Sequence, residues 1–118
     1  MDTLEQTGAL FKTLMHPTRL AILQILRDGE ECVCHMEATL GLRQAYISQQ
    51  LMMLREAGLV ADRREGWNVF YRVVRPEVYA VLDAALAIVQ PEGAPMLLTR
   101  RAKPTACPCP KCQLEPAQ

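Results

Sequence analysis

Along residues 2–15, Leu4, Gly8, Phe11 and Leu14 fall at helical spacing, an amphipathic helix with one narrow apolar stripe. Such a helix is marginal alone and needs a surface to pack on. The next stretch, HPTRLAILQILRDG, has Pro17 placed for a first helical turn and Asp28-Gly29 for a stop. Ala21, Ile22, Leu23, Ile25 and Leu26 make most of its circumference apolar, which predicts a central helix. A short helix is expected from Val33 to Leu40, with Met36 and Leu40 one turn apart. Gly41 supplies a turn, and a second helix runs from about Arg43 to Ala57, closed by Gly58. Its buried stripe is Ile47, Leu51 and Leu54, while Ala45, Gln49 and Met52 point the opposite way, flanked by Ser48 and Glu56.

From Leu59 to Val74 the period changes to that of a strand. Val69, Tyr71 and Val73 alternate with Phe70 and Arg72, and Glu65-Gly66 is the expected tip of a β-hairpin. Pro76 opens a last helix with Tyr79, Leu82, Leu86 and Val89 on one side and Val78, Val81, Ala85 and Ile88 on much of the rest. A terminal helix apolar on both sides needs two partners, its own core and a neighbour, so a homodimer through the terminal helices is expected. Beyond Gln90, seven prolines and glycines from Pro91 to Pro116 preclude a regular element for most of the segment. The pattern divides the chain into a folded unit, 1–90, and a Pro-rich tail, 91–118, expected to be flexible without metal.

Two short helices joined by a tight turn and followed by a hairpin make a winged helix-turn-helix, mainly α with a β-hairpin wing. In that architecture the N-terminal half of the second helix enters the major groove. Arg43, Gln44, Ser48 and Gln49 stand there; glutamine can pair bidentately with adenine, and serine is less discriminating. On a lone helix these would read as solvated side chains, and the adjoining hairpin is what favours DNA. Arg63 and Arg64 beside its tip are placed to lie along phosphates, which orient a protein without reading sequence. Trp67 reads as a packing residue. Double-stranded operator DNA is thus the expected partner, met by two reading helices of a two-fold dimer.

Charge and composition permit this without requiring it. The formal net charge is zero, which argues against a protein that coats DNA broadly but not against a local basic face. With 50% hydrophobic and 5% aromatic residues in 118, one aliphatic-cored domain is expected. No apolar run is long enough to cross a membrane, and the first residues lack the pattern of a secretory signal, so a cytoplasmic chain is expected. No helical H-x-x-x-H, nucleophile elbow or phosphate loop occurs, so the chain does not read as an enzyme.

Five cysteines cannot all pair within one chain, and in a reducing compartment they point to thiol or metal chemistry. Cys32 and Cys34 stand at the start of the first reading-unit helix; Cys107, Cys109 and Cys112 form a C-x-C-x-x-C cluster in the tail. In a regular helix, positions i and i+2 diverge by about 200°, so Cys32 and Cys34 can share an ion only if the helix start is distorted. A helix N-terminus favours the thiolate. Either cysteine alone would read as a small buried residue, but the tail has no core to bury three more. Thiolates select Zn(II), Cd(II), Pb(II), Cu(I) or As(III) over hard cations. His35 is expected to face solvent or cap, and His16 to be structural. A competing reading is a redox or persulfide sensor in which Cys32 or Cys34 pairs with a tail cysteine.

The chain resembles the ArsR/SmtB family of winged-helix, metal-responsive repressors over about residues 5–90. The resemblance rests on His16-Pro17-Thr18-Arg19-Leu20, Glu31-Cys32-Val33-Cys34, Ile47-Ser48-Gln49-Gln50-Leu51, Leu54-Arg55-Glu56-Ala57-Gly58-Leu59-Val60 and the wing ending Tyr71-Arg72. It implies a homodimer that represses its operator in the apo state and releases it when As(III)/Sb(III) or Cd(II)/Pb(II)/Zn(II) binds. Carried onto this chain, it makes Cys32 and Cys34 the inducer ligands and places Gln44, Ser48 and Gln49 on the operator. The arsenic type often has a further cysteine where Glu37 stands. The cadmium type uses N-terminal cysteines, which residues 1–31 lack, and the last helix has only Asp83 and no histidine for a zinc site of the terminal-helix type. The remaining ligands are therefore expected from Cys107, Cys109 and Cys112.

Overall fold

Asp2 starts the first helix, α1 (Thr3–Leu14), by accepting the Glu5 N–H at 2.7 Å while the Glu5 carboxylate accepts the Asp2 N–H, a reciprocal cap. The computed structural model describes residues 2–90; the tail, with Cys107, Cys109 and Cys112, lies outside the described residues. Pro17 begins α2 (Pro17–Ile25), which tightens into a 3-10 turn at Leu26–Asp28. Then come α3 (Val33–Leu40) and α4 (Gln44–Glu56). Between them Gly41 adopts φ 67 and its N–H returns to the Glu37 carbonyl at 2.9 Å. A side chain there would be strained, so the glycine makes the turn between the two helices possible.

Strands β2 (Val60–Glu65) and β3 (Asn68–Val73) form the expected hairpin, and α5 (Val78–Val89) closes the described fold. One element has no precursor in the sequence pattern: β1 (Glu31–Cys32), which pairs antiparallel with β3 through Glu31↔Tyr71 and Cys32↔Phe70. The hairpin is thereby a three-stranded sheet of order β1-β3-β2. Two boundaries also move. The hairpin tip is Gly66-Trp67, one residue later than expected, because the Glu65↔Asn68 pair is still in register. Pro76 lies in a turn ahead of α5, where the Val78 and Tyr79 N–H groups reach back only three residues, to Arg75 and Pro76.

The core lies where α2, α3 and α4 meet. Ile22, Leu23, Met36, Ile47, Leu51 and Leu54 are fully buried, and Leu59, Val60, Tyr71, Val78 and Leu82 join them from the sheet and α5. At about 1.5–3 kcal/mol for each fully buried aliphatic side chain, this cluster is the main stabilising term. Helix α5 is also tied by polar contacts. The Tyr79 hydroxyl donates to the Leu23 carbonyl, and Arg27 pairs with Asp83 while lying over the Tyr79 ring. Burial pushes the Tyr79 phenol up to about 12, so it remains a donor at neutral pH.

The expected stripe of α1 is only partly covered: Leu14 is buried, but Leu4 is 82% exposed and Phe11 is exposed. At the far end of α5, Ile88 and Val89 are exposed as well. Both terminal helices therefore carry apolar surface that a single chain leaves in water. Among the described residues, no helix is long and apolar enough to cross a membrane.

Candidate nucleic-acid interface and thiol pair

Helix α4 presents the side chains expected of it. Ile47, Leu51 and Leu54 fix its inner face, leaving Arg43, Gln44 and Gln49 exposed and Ser48 half-buried. Its orientation is held by a residue outside the candidate set. Half-buried Arg19 on α2 donates from Nε to the buried Gln50 Oε1 at 2.8 Å and from Nη1 to the Thr13 carbonyl at 3.1 Å. One planar guanidinium thus bridges the last turn of α1 to the middle of α4, and a charged donor makes both bonds stronger than neutral ones.

The two wing arginines take different roles, because neighbours on a strand point to opposite faces. Arg64 is exposed and borders a groove between α3, α4 and the wing. Arg63 is engaged by the protein itself. Its Nε lies 2.9 Å from both Glu30 carboxylate oxygens, its Nη1 is 3.1 Å from Glu65, and its guanidinium sits 4.7 Å above the Phe70 ring. Glu30 and then Glu65 hold the guanidinium above its usual pKa. Arg63 therefore clasps the wing to the residues before β1. Separating the two arginines required the strand register, which composition does not carry.

At the start of α3 the two cysteines meet. Cys32 is the N-cap, in extended backbone at φ −86 and ψ 160, and its Sγ accepts the His35 N–H at 3.2 Å. It is 1% exposed and packs with Phe70, whereas Cys34, inside the first helical turn, is half-exposed. Because Cys32 is not helical, the divergence of positions i and i+2 does not apply, and the sulfurs converge as a Cys32–Cys34 disulfide with Cα atoms 5.4 Å apart. The partner in this disulfide is a neighbour; the competing redox reading pairs one of the two with a tail cysteine, and the tail lies outside the described residues. His35 also departs from its expected place. It is buried, with Nδ1 3.9 Å from Oε1 of the equally buried Glu31 on β1, because it faces inward in the first turn of α3.

Cys32, Cys34 and Glu37 line the same groove as Gln44, Ser48 and Arg64, a space of about 660 Å³. Tyr71 forms part of its wall; burial, and then Asp62, raise its phenol pKa. Among the described residues, no three side chains of His, Cys, Asp or Glu are arranged to hold a metal. Once their disulfide is reduced, Cys32 and Cys34 would supply two thiolates, and further donors would have to come from outside the described residues. Trp67, expected to pack, is instead 100% exposed at the wing tip beside this groove.

Residues 16–62 match the pattern of the family described as "Bacterial regulatory protein, arsR family". The chain is 43% identical over 83 residues to the biofilm growth-associated repressor of Agrobacterium fabrum, covering 70% of this chain and 71% of that one. It is 47% identical over 78 residues to the arsenic resistance transcriptional regulator ArsR1 of Pseudomonas putida, covering 65% of this chain and 60% of that relative. A solution structure described as the homodimeric winged helix-turn-helix DNA-binding domain Mb0332 of Mycobacterium bovis superposes with a TM-score of 0.66 at 27% identity. That likeness covers 79% of this chain and 89% of the other.

Proposed function

Since the chain belongs to the ArsR family of bacterial regulatory proteins, we propose that it is a homodimeric transcriptional repressor that holds operator DNA through α4 and releases it when a soft ion binds Cys32 and Cys34. The observation that carries this reading is the shared groove: Cys32 and Cys34 line the same space as Gln44 and Ser48. Gln44, Ser48 and Gln49 read base edges, Arg43 and Arg64 meet phosphates, and Arg63 holds the wing in place. The exposed apolar surfaces of α1 and α5 supply the contact between copies.

The inducer is As(III)/Sb(III) or a divalent thiophile, Cd(II), Pb(II) or Zn(II), which would supply strong bonds to thiolate sulfur. One or two of Cys107, Cys109 and Cys112 complete the donor set. On the protein side, engaging Cys32 Sγ competes with its acceptance of the His35 N–H, so the cap of α3 is weakened at the same moment. The arsenic-resistance relative supports the metalloid reading.

The Cys32–Cys34 bond favours one other reading, a repressor released by oxidation. Two thiols would give two electrons and two protons to a peroxide, which is reduced to water as the disulfide forms. Anisotropy of a labelled operator duplex separates the two. Release by arsenite or Cd(II) in the presence of a phosphine reductant is the expected result, and release by peroxide alone would replace the metal reading with the redox one. Deleting residues 105–118 is expected to weaken metal binding at least about tenfold, the scale of one lost ligand or its support. Equal metal affinity and release in the truncated chain would remove the tail from the site.

The Arg19 bridge gives a further expectation. Arg19→Met keeps the aliphatic stem but removes both helix-bridging bonds, and operator affinity should fall about tenfold, or 1.4 kcal/mol. The dimer should persist in sedimentation. Unchanged affinity would mean that α4 is positioned by its apolar face alone.

A further inference from the structure

A large aromatic ring wholly in water is unusual for a folded chain, and turn chemistry alone does not ask for one. Trp67 is the single tryptophan of the protein and touches none of its core. It occupies the second position of the Gly66-Trp67 turn, and Gly66, at φ 62, supplies the first. Glycine in that place gives a turn whose twist matches the flanking strands. The strands stay paired in register from Val60↔Val73 to Glu65↔Asn68, so the ring stands on a braced hairpin.

What could cover the ring follows from its neighbours. Trp67 borders the groove that Gln44, Ser48 and Arg64 also line. A molecule lying in that groove against α4 necessarily approaches the indole. The lining mixes base-reading amide and hydroxyl groups with a cation, which suits a nucleic acid better than an apolar protein surface.

We propose that Trp67 is a DNA-contacting residue of the wing, its indole inserted in the minor groove beside the major-groove segment occupied by α4. The inference rests on α4 being the reading helix. Apolar wedges serve this role in minor-groove binding. The indole adds an Nε1–H donor, which the purine N3 and pyrimidine O2 acceptors of that groove can meet. Ring burial against sugars and base edges then gives affinity, while α4 keeps the larger part of sequence choice.

The single indole is its own reporter. The full-length protein is titrated with a duplex that it has selected from a random-sequence pool, and binding is followed separately by anisotropy of a label on the DNA. At saturation, Trp67 emission should change and acrylamide quenching should fall several-fold. Trp67→Ala should weaken binding at least about tenfold, the scale of one aromatic anchor, and Trp67→Phe should recover part of the loss. The unfolding midpoint should not move in either variant. Binding by anisotropy with unaltered emission and quenching would overturn the proposal. So would altered emission with full affinity in Trp67→Ala, since proximity alone is not contact energy. Dissociation of the DNA-free dimer in Trp67→Ala would assign the ring to a protein interface instead. Failure to bind any duplex would remove the DNA-reading role of α4 itself, and the indole contact with it.

Discussion

Replacing both Cys32 and Cys34 with serine should leave operator affinity within about threefold of the parent, a change below 1 kcal/mol, and abolish release by arsenite or Cd(II). The asymmetry follows from the start of α3. Cys32 serves there as a cap, accepting the His35 N–H, and serine is a preferred capping residue of nearly the same size. The helix start is thus retained while the soft donors are lost. Anisotropy titrations with and without the ion measure both quantities. Loss of operator binding before any ion is added would mean that the sulfurs are structural, and retained release would place the sensor elsewhere.

The largest effect on stability is expected at Phe70. Its ring is 2% exposed, packs against Cys32 and lies beneath the Arg63 guanidinium. Phe70→Ala should cost about 3–5 kcal/mol, a large share of the about 5–15 kcal/mol available to a typical domain. The midpoint of a urea titration should fall accordingly, and Phe70→Leu should keep much of the stability. A loss under about 1 kcal/mol would show that the wing is not part of the cooperative core.

Much of this fold was legible because its signals are local. Pro17 in the first turn of α2 and Gly41 with positive φ each mark an element from within a few residues. The buried stripe Ile47, Leu51 and Leu54 was legible through its period. What escaped depends on partners distant in sequence. Strand β1 has only two residues and exists because β3 lies beside it, so no window around Glu31 could disclose it. The same pairing explains the cysteines: a helical reading makes their sulfurs diverge, whereas extended backbone at Cys32 brings them together. Arg63 and Arg64 look alike until the register sends one to Glu30 and the other to the groove. Trp67 was misplaced because a turn residue has no period to reveal whether it faces protein or water.

The two-residue strand also bears on how the chain folds as it is made. Its pairing, Glu31 to Tyr71 and Cys32 to Phe70, encloses α3, α4 and β2 within one loop of chain. Closing such a loop carries an entropic cost that local helix formation does not. During synthesis, helices α3 and α4 can form early, but the extended geometry at Cys32 awaits the arrival of β3. A chain stalled before Phe70 would carry α4 with no settled thiol pair, so Cys32 and Cys34 are brought together after the helices that follow them have formed.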